Sequence, residues 1–449
     1  MHIVFACEWY YPSVGGVQEV VRQIGERLVA RGHRVSVATS FIEARREVIH
    51  NGVHVVPFNV SGNAVEGLRG DVDGYRRFIL AGDYDLLVIK AAQQWTFDAL
   101  LPVLGAIVRP KAFIPCGFGA LFDPDFADYY EGMRSWLKAF DRLIFYSETY
   151  RDVEFARANG IAALSFVTNG ASEREFSCER DTGFRRRHGI SPDAFLLLTV
   201  GTINGAKGHR EVAEAFARAD LSPRPAALIL NGNQPSARSL AHRTGQLGQL
   251  ARNALRPHGM RRAIRRLARI ASSRASRPRM LPSFGMRALE TLPELAARIA
   301  RDQPSKQILL TDLPRAELIQ AFLNSDLFVF ASHVEYSPLV LFECAAAGLP
   351  FVSVPVGNAA EIAQWTGCGL ICPAPIGETG LVQPDPAILA AAIEDLARDA
   401  PRRIALGATG RENWRKSYTW DIIARQYEEI FEDIVGGAGL DPRSTALSA

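Results

Sequence analysis

Two acids, one lysine and a few glycines carry the spacing in this chain that could do chemistry. In "SHVEYSPLVLFECAAAGLP" (332–350), Glu335 and Glu343 stand with seven residues between them. The apolar run before this stretch reads as a strand, with Ser337 as the cap and Pro338 as the first position of a helix. That helix runs through Leu341, Phe342 and Ala345 and stops at Gly348. Glu335 then lies on the loop at a strand's carboxyl end, and Glu343 in the second turn of the helix. The free N–H groups from Leu339 through Val340 to Leu341 suit a phosphate. Two carboxylates beside a phosphate would repel it unless each meets hydroxyls instead. A nucleoside diphosphate sugar fits: diphosphate on the helix start, ribose hydroxyls on one acid, sugar hydroxyls on the other.

A second stretch, "VGTINGAKGHRE" (200–211), reads as a strand, a glycine-rich turn and a helix start. Lys207 there can neutralise phosphate charge while the turn's N–H groups form a nest. By itself this is a weak signal, because both Gly-x-Gly-x-x-Gly and the full P-loop pattern are missing. A third stretch is "PSVGGVQE" (12–19), where Gly15 and Gly16 allow a backbone to approach a ligand closely.

These residues need a scaffold that brings strand ends together. Short apolar runs at 2–6, 33–39, 53–58, 85–89, 112–116 and 141–146 alternate with helical patterns such as 17–31. A second set follows a polar stretch, at 195–201, 226–231, 307–311, 327–331 and 350–354. Continuous apolar strands spaced by helices imply parallel sheets buried on both faces. The fold class expected is α/β, as two doubly wound Rossmann-like domains that face each other across a cleft. The boundaries expected are 1–185 for the first domain and 190–415 for the second. At 449 residues, 48% apolar and 22% charged, the chain is sized and composed for two or three soluble domains. No run reaches the roughly 18 apolar residues of a spanning helix, and the N-terminus enters a strand without a signal-peptide pattern. Six scattered cysteines suggest reduced thiols and a cytoplasmic protein.

The net charge of +3 conceals an asymmetry. Residues 221–289 hold fourteen Arg and no Lys, Asp or Glu, leaving 37 basic against 48 acidic residues elsewhere. This block sits in a connection far longer than the usual few residues, so 233–305 reads as an Arg-rich insertion in the second domain. Within it, "MRRAIRRLARIA" (260–271) patterns as an amphipathic basic helix. The readings open are a solvated linker, an anionic membrane surface or lipid diphosphate met through 240–290, and nucleic acid. Arginine without interleaved aromatics argues against nucleic acid, and the amphipathic pattern favours the inner face of a membrane.

In order along the chain, the residues resemble the retaining glycosyltransferases of the GT-B fold, family 4. The features are Gly15-Gly16, Ser147-Glu148, Asn169-Gly170-Ala171-Ser172, the loop Gly201 to Gly208, Glu335 to Glu343 with "AAGLP", and Gly357 to Glu361. The segment "YTWDIIARQYEEIF" (418–431) resembles the helix that returns to the first domain, here expected over 416–435. The resemblance covers most of the chain outside the insertion. It implies sugar transfer from a nucleoside diphosphate sugar to a glycan or lipid-linked acceptor, with no metal and no other cofactor. It also implies catalytic roles for Lys207 and Glu335. Donor contacts would come from Gly15, Gly16, Gly201, Thr202, Lys207, Arg210, Ser337, Pro338, Leu339, Val340 and Glu343.

Two positions depart from the family. Thr202 stands where the family's loop carries Arg, which leaves Arg210 as a substitute phosphate contact. Cys116-Gly117 stands where the family often carries His. These departures keep a noncatalytic GT-B-like subunit open as a rival. A nucleotide-sugar epimerase is the other, although its usual acid pair and His-rich site are not evident. The plain readings also stand: an exposed Glu pair, an ordinary surface lysine, a simple turn at Gly15-Gly16. Asp71-Val72-Asp73 and Asp123-Pro124-Asp125 mimic metal motifs but fall on loops away from the cleft strands.

Overall fold

The computed structural model describes residues 1–232 and 290–438. The Arg-rich 233–289 stretch, with the helix expected at 260–271, lies outside the described residues. The first sheet contains β1 (His2–Ala6), β2 (Arg34–Ser40), β3 (Ile49–His50) and β4 (Val53–Phe58). A small separate pair, β5 (Val60–Ser61) and β6 (Arg69–Gly70), follows. The first sheet resumes with β7 (Leu86–Lys90), β8 (Lys111–Ile114), β9 (Arg142–Phe145) and β10 (Leu164–Phe166). Its order is β10-β9-β8-β7-β1-β2-β4-β3, parallel except for β3 against β4. The second sheet holds β11 (Phe195–Val200), β12 (Ala226–Asn231), β13 (Lys306–Thr311), β14 (Leu327–Phe330), β15 (Phe351–Ser353) and β16 (Gly369–Ile371). Its order is β13-β12-β11-β14-β15-β16, parallel throughout.

The apolar runs explain both sheets. Leu86, Leu87, Val88 and Ile89 are fully buried, as are Leu196, Leu197 and Leu198. Strands with apolar side chains on both faces need helices above and below, and the crossovers supply them, except between β2 and β4, where the chain inserts β3 instead. The sequence expectation carried the insertion to 305, and this is corrected. Helix Leu292–Asp302 starts on a Thr291/Glu294 capping box and buries Leu295 and Ile299 in the second core. It is the crossover into β13 rather than part of an excursion.

The chain passes between lobes twice, at one place. Ala171 N–H donates to the Tyr418 carbonyl at 3.0 Å, and Trp420 N–H to the Ala171 carbonyl at 3.3 Å. Gly170 is needed there, since a Cβ would come within 2.5 Å of the Tyr418 oxygen. The last helix, Trp420–Ala438, then lies on the first lobe. Its Ile423, Tyr427, Phe431 and Ile434 close the core around Ile3 and Phe5. Glu428 on this helix holds His33 at 2.7 Å and Arg31 at 2.5 Å.

Candidate active site

The carboxyl ends of both sheets open toward one gap. On the second lobe, β11 runs into Gly201–Gly208 and then helix His209–Arg218. Gly208 has φ +69, and a Cβ there would overlap the Ala331 carbonyl. The loop is tied to the neighbouring strand end: the Ala206 carbonyl accepts from His333 N–H at 2.9 Å and from the Ser332 hydroxyl at 3.1 Å. These bonds carry Lys207 to Glu335, and the ammonium pairs with the carboxylate. The Ser332 oxygen also lies 3.3 Å from that carboxylate, so its one proton is shared between acceptors. Gly201 leaves room for the lysine stem, since a Cβ there would lie 3.1 Å from Lys207 Cγ. His209, next in line, is buried, and burial lowers its pKa to about 4.

Helix Leu339–Ala347 begins one residue later than the sequence suggested. Pro338 is its cap, with φ −70 and ψ 113, and makes no side-chain capping bond. Ser337 therefore does not cap the helix: its hydroxyl is buried without a partner, and its carbonyl accepts from Asn169 of the first lobe at 3.1 Å. The reason is the extended backbone at Pro338, which carries Ser337 away from the first turn. Leu339 packs against the core of the first lobe and Val340 against that of the second. Glu343 ion-pairs with Arg315 at 2.5 Å, and Arg315 holds Glu175 at 2.7 Å.

The first lobe contributes the facing wall. Gly15 caps helix Gly16–Ala30, and Gly16 faces Leu339. Glu19 in that helix feels two influences: burial would raise its pKa, but bonds from Arg22 and Gln23 and the nearby Arg315 hold it below the usual carboxylate range. At the ends of β7 and β8, Ala91, Gln93, Cys116 and Phe118 all have positive φ, between +47 and +72. Such strained non-glycine residues gather where a surrounding structure holds them for a purpose. Glu8 follows β1 at the same mouth. Burial, and then the Asp98 carboxylate, raise its pKa to about 7.

Thus the structure brings Gly15, Gly16, Gly201, Lys207, Glu335 and the 337–340 turn to one gap. Thr202 lies half-buried on the loop, its carbonyl accepting from Asn204 N–H at 2.9 Å. Arg210 turns to Glu214 at 3.2 Å and to the Glu290 carbonyl. Asp71 and Asp123 serve as local caps, accepting from Gly74 and Asp125 N–H. Sequence reasoning missed Arg315, which follows Pro314 at the end of β13, where a helix start at a strand's carboxyl end was the available signal. It also passed over Tyr336 and Asp152.

The arrangement is that of the GT-B fold, two facing doubly wound lobes with a cleft between. A glycosyltransferase from Rickettsia africae superposes with a TM-score of 0.66 at 13% identity, over 97% of this chain and 98% of that one. WaaG, a glycosyltransferase involved in lipopolysaccharide biosynthesis, gives 0.60 at 16% identity, over 97% and 100%. HepE of Anabaena, solved with UDP-glucose, gives 0.63 at 14% identity, over 96% and 100%. Residues 295–413, within the second lobe, match the family model for glycosyl transferases group 1.

Among curated proteins, a D-inositol 3-phosphate glycosyltransferase of Kineococcus radiotolerans is 31% identical over 192 residues, 40% of this chain and 43% of the relative. One from Thermomonospora curvata is 29% identical over 266 residues, 58% and 48%. An N-acetyl-alpha-D-glucosaminyl L-malate synthase of Bacillus anthracis is 32% identical over 111 residues, 25% and 27%. The chain aligns with less than half the length of each of these three.

Proposed function

We propose that the protein is a retaining, metal-independent glycosyltransferase of family 4 that moves a sugar from a nucleoside diphosphate sugar to an acceptor. The observation that carries this reading is the meeting of Lys207 and Glu335 on the second lobe, where the helix starting at Leu339 faces the Gly15–Gly16 turn of the first. In the reaction, the bond from the anomeric carbon to the diphosphate oxygen breaks. The acceptor oxygen bonds to the same face of that carbon, and its proton passes to the departing phosphate oxygen. Lys207 and the amides of Leu339 and Val340 at the helix start stabilise the charge that grows on the leaving group, a contribution on the order of 3 kcal/mol per donor. Glu343, held by Arg315, is placed for ribose hydroxyls, and Glu335 for the sugar.

The acceptor proposed is a glycan or lipid-linked glycan reached from an anionic membrane face, in building a cell-surface polymer or glycolipid. The Arg-rich composition of 233–289 supports this. Among the described residues no helix is long and apolar enough to cross a membrane. The curated likenesses favour a second acceptor class, a small polyol phosphate. The test is hydrolysis and transfer with UDP-glucose and GDP-mannose, offering a lipid diphosphate glycan or inositol phosphate. No turnover of either donor, or equal turnover by Lys207→Ala, defeats the catalytic reading. Pelleting with anionic vesicles that persists after deletion of 240–290 defeats the membrane part.

A further inference from the structure

Between Glu335 and Ser337 stands Tyr336, a residue of the donor-side loop whose ring is seated in the other lobe. It packs on Tyr146, ring centroids 5.4 Å apart, and on Tyr150 at 5.1 Å. Its hydroxyl accepts from Tyr146 N–H at 3.0 Å and meets the buried carboxyl of Asp152. Asp152 in turn accepts from Gly117 N–H at 2.8 Å. Gly117 has φ +85 and lies under the ring, so a Cβ there would come within 2.7 Å of Tyr336 Cγ. It sits between Cys116 and Phe118, both at positive φ. On the other side, Tyr150 donates to the Glu335 carbonyl at 3.0 Å, and Asn358 N–H to the Tyr336 carbonyl at 2.8 Å.

We infer that Tyr336 is a positioning residue that couples the Glu335 loop of the donor lobe to the 116–118 loop of the acceptor lobe, through Asp152 and the Gly117 amide. This rests on the proposed transfer reaction and adds to it. The hydroxyl acts on no reacting atom. It sets where Glu335 stands relative to an acceptor seated on the strained loop, and this is a requirement of turnover more than of donor binding.

The test has two arms on the full chain. Tyr336→Phe keeps the ring and removes the hydroxyl. Hydrogen exchange of peptides spanning 113–120, in the opposite lobe, should quicken on the order of tenfold, as for a lost bond to a charged group. Gly117→Ala is the reciprocal change and should quicken exchange in 332–338. Exchange altered only within the mutated loop, in either variant, overturns the coupling. In the kinetic arm, Tyr336→Phe should lower kcat with UDP-glucose or GDP-mannose about tenfold, with UDP and GDP affinity by calorimetry within twofold of the parent. Equal loss of affinity and kcat overturns the positioning role. Should Tyr336→Phe fail to fold, Asp152→Asn is read by the same exchange and kinetics. If the parent turns over neither donor, the transfer reading fails, while the exchange arm still decides the coupling.

Discussion

Gly16 and Leu339 meet across the cleft: a methyl group placed on Gly16 would lie 3.8 Å from Leu339 Cδ1. Each is the first residue of its helix, Gly16–Ala30 and Leu339–Ala347. Two positive helix ends from opposite lobes therefore share one gap. Gly16→Ala should fold with a melting temperature within a few degrees of the parent, since 3.8 Å is ordinary contact and Gly costs a helix about 1 kcal/mol relative to Ala. Its donor KM should rise several-fold, because the added methyl points into the space a diphosphate would take. Unchanged KM in steady-state assays would place the diphosphate elsewhere.

Lys207 and Glu335 are expected to fail differently. Lys207→Ala removes a charge that acts on the leaving group, so kcat/KM should fall on the order of 100- to 1000-fold. Glu335→Gln frees the lysine from its partner. Nucleoside diphosphate affinity should then hold or tighten while kcat falls. Calorimetry with UDP and GDP beside initial rates separates the two.

Gly208 has no tolerant substitute. It combines φ +69 with a Cβ position that overlaps the Ala331 carbonyl oxygen. Gly208→Ala should destabilise by more than about 1 kcal/mol, through backbone strain and displacement of β14, and lower the urea midpoint.

Arg315 joins Glu343 to Glu175, and Glu19 of the first lobe feels its charge. Arg315→Gln leaves Glu343 without its partner. The half-exposed guanidinium should matter little for stability, with the melting temperature moving a few degrees at most. Donor KM should rise more than kcat falls, the pattern of lost binding shared by ground and transition states.

The mouth of the first lobe should answer to pH. Burial raises Glu8 to about 7, and burial also raises Asp98 and Asp152 to about 6. All three sit above their unfolded values near 4, so the folded chain holds extra protons between about pH 4 and 7. Their contribution therefore strengthens folding as pH falls from 8 to 5. His209 acts oppositely: its folded value of about 4 lies below 6.5, so its contribution is lost as pH falls through that window. Glu8→Gln removes a buried charge and, with it, the repulsion from Asp98. It should raise the melting temperature by a few degrees at pH 8 and leave it unchanged at pH 5, when Glu8 is protonated in the parent.

The strands and the glycine turns were legible because burial and left-handed backbone leave local marks. β1 spans His2–Ala6, where the apolar run predicted it, and Gly348 closes its helix at φ +69. Pairings between lobes leave no such mark. Tyr336 looks like filler within its own motif, and nothing near it in sequence names Asp152 or Gly117. Ser337 misled for a related reason: Ser before Pro suits a cap, but the Asn169 bond from the other lobe holds its carbonyl instead. Arg210 reads from the sequence as a phosphate contact, and only the structure shows the Glu214 carboxylate and the Glu290 carbonyl that hold it.

The return of helix Trp420–Ala438 to the first lobe sets an order of assembly. A ribosome delivers Ile3 and Phe5 long before their lid of Ile423, Tyr427 and Phe431. The first lobe must wait, with an apolar flank uncovered, until the second lobe and this helix have been made. Trimming this helix would thus unseat β1, far upstream in the chain, and residues 1–185 expressed alone should clump rather than fold.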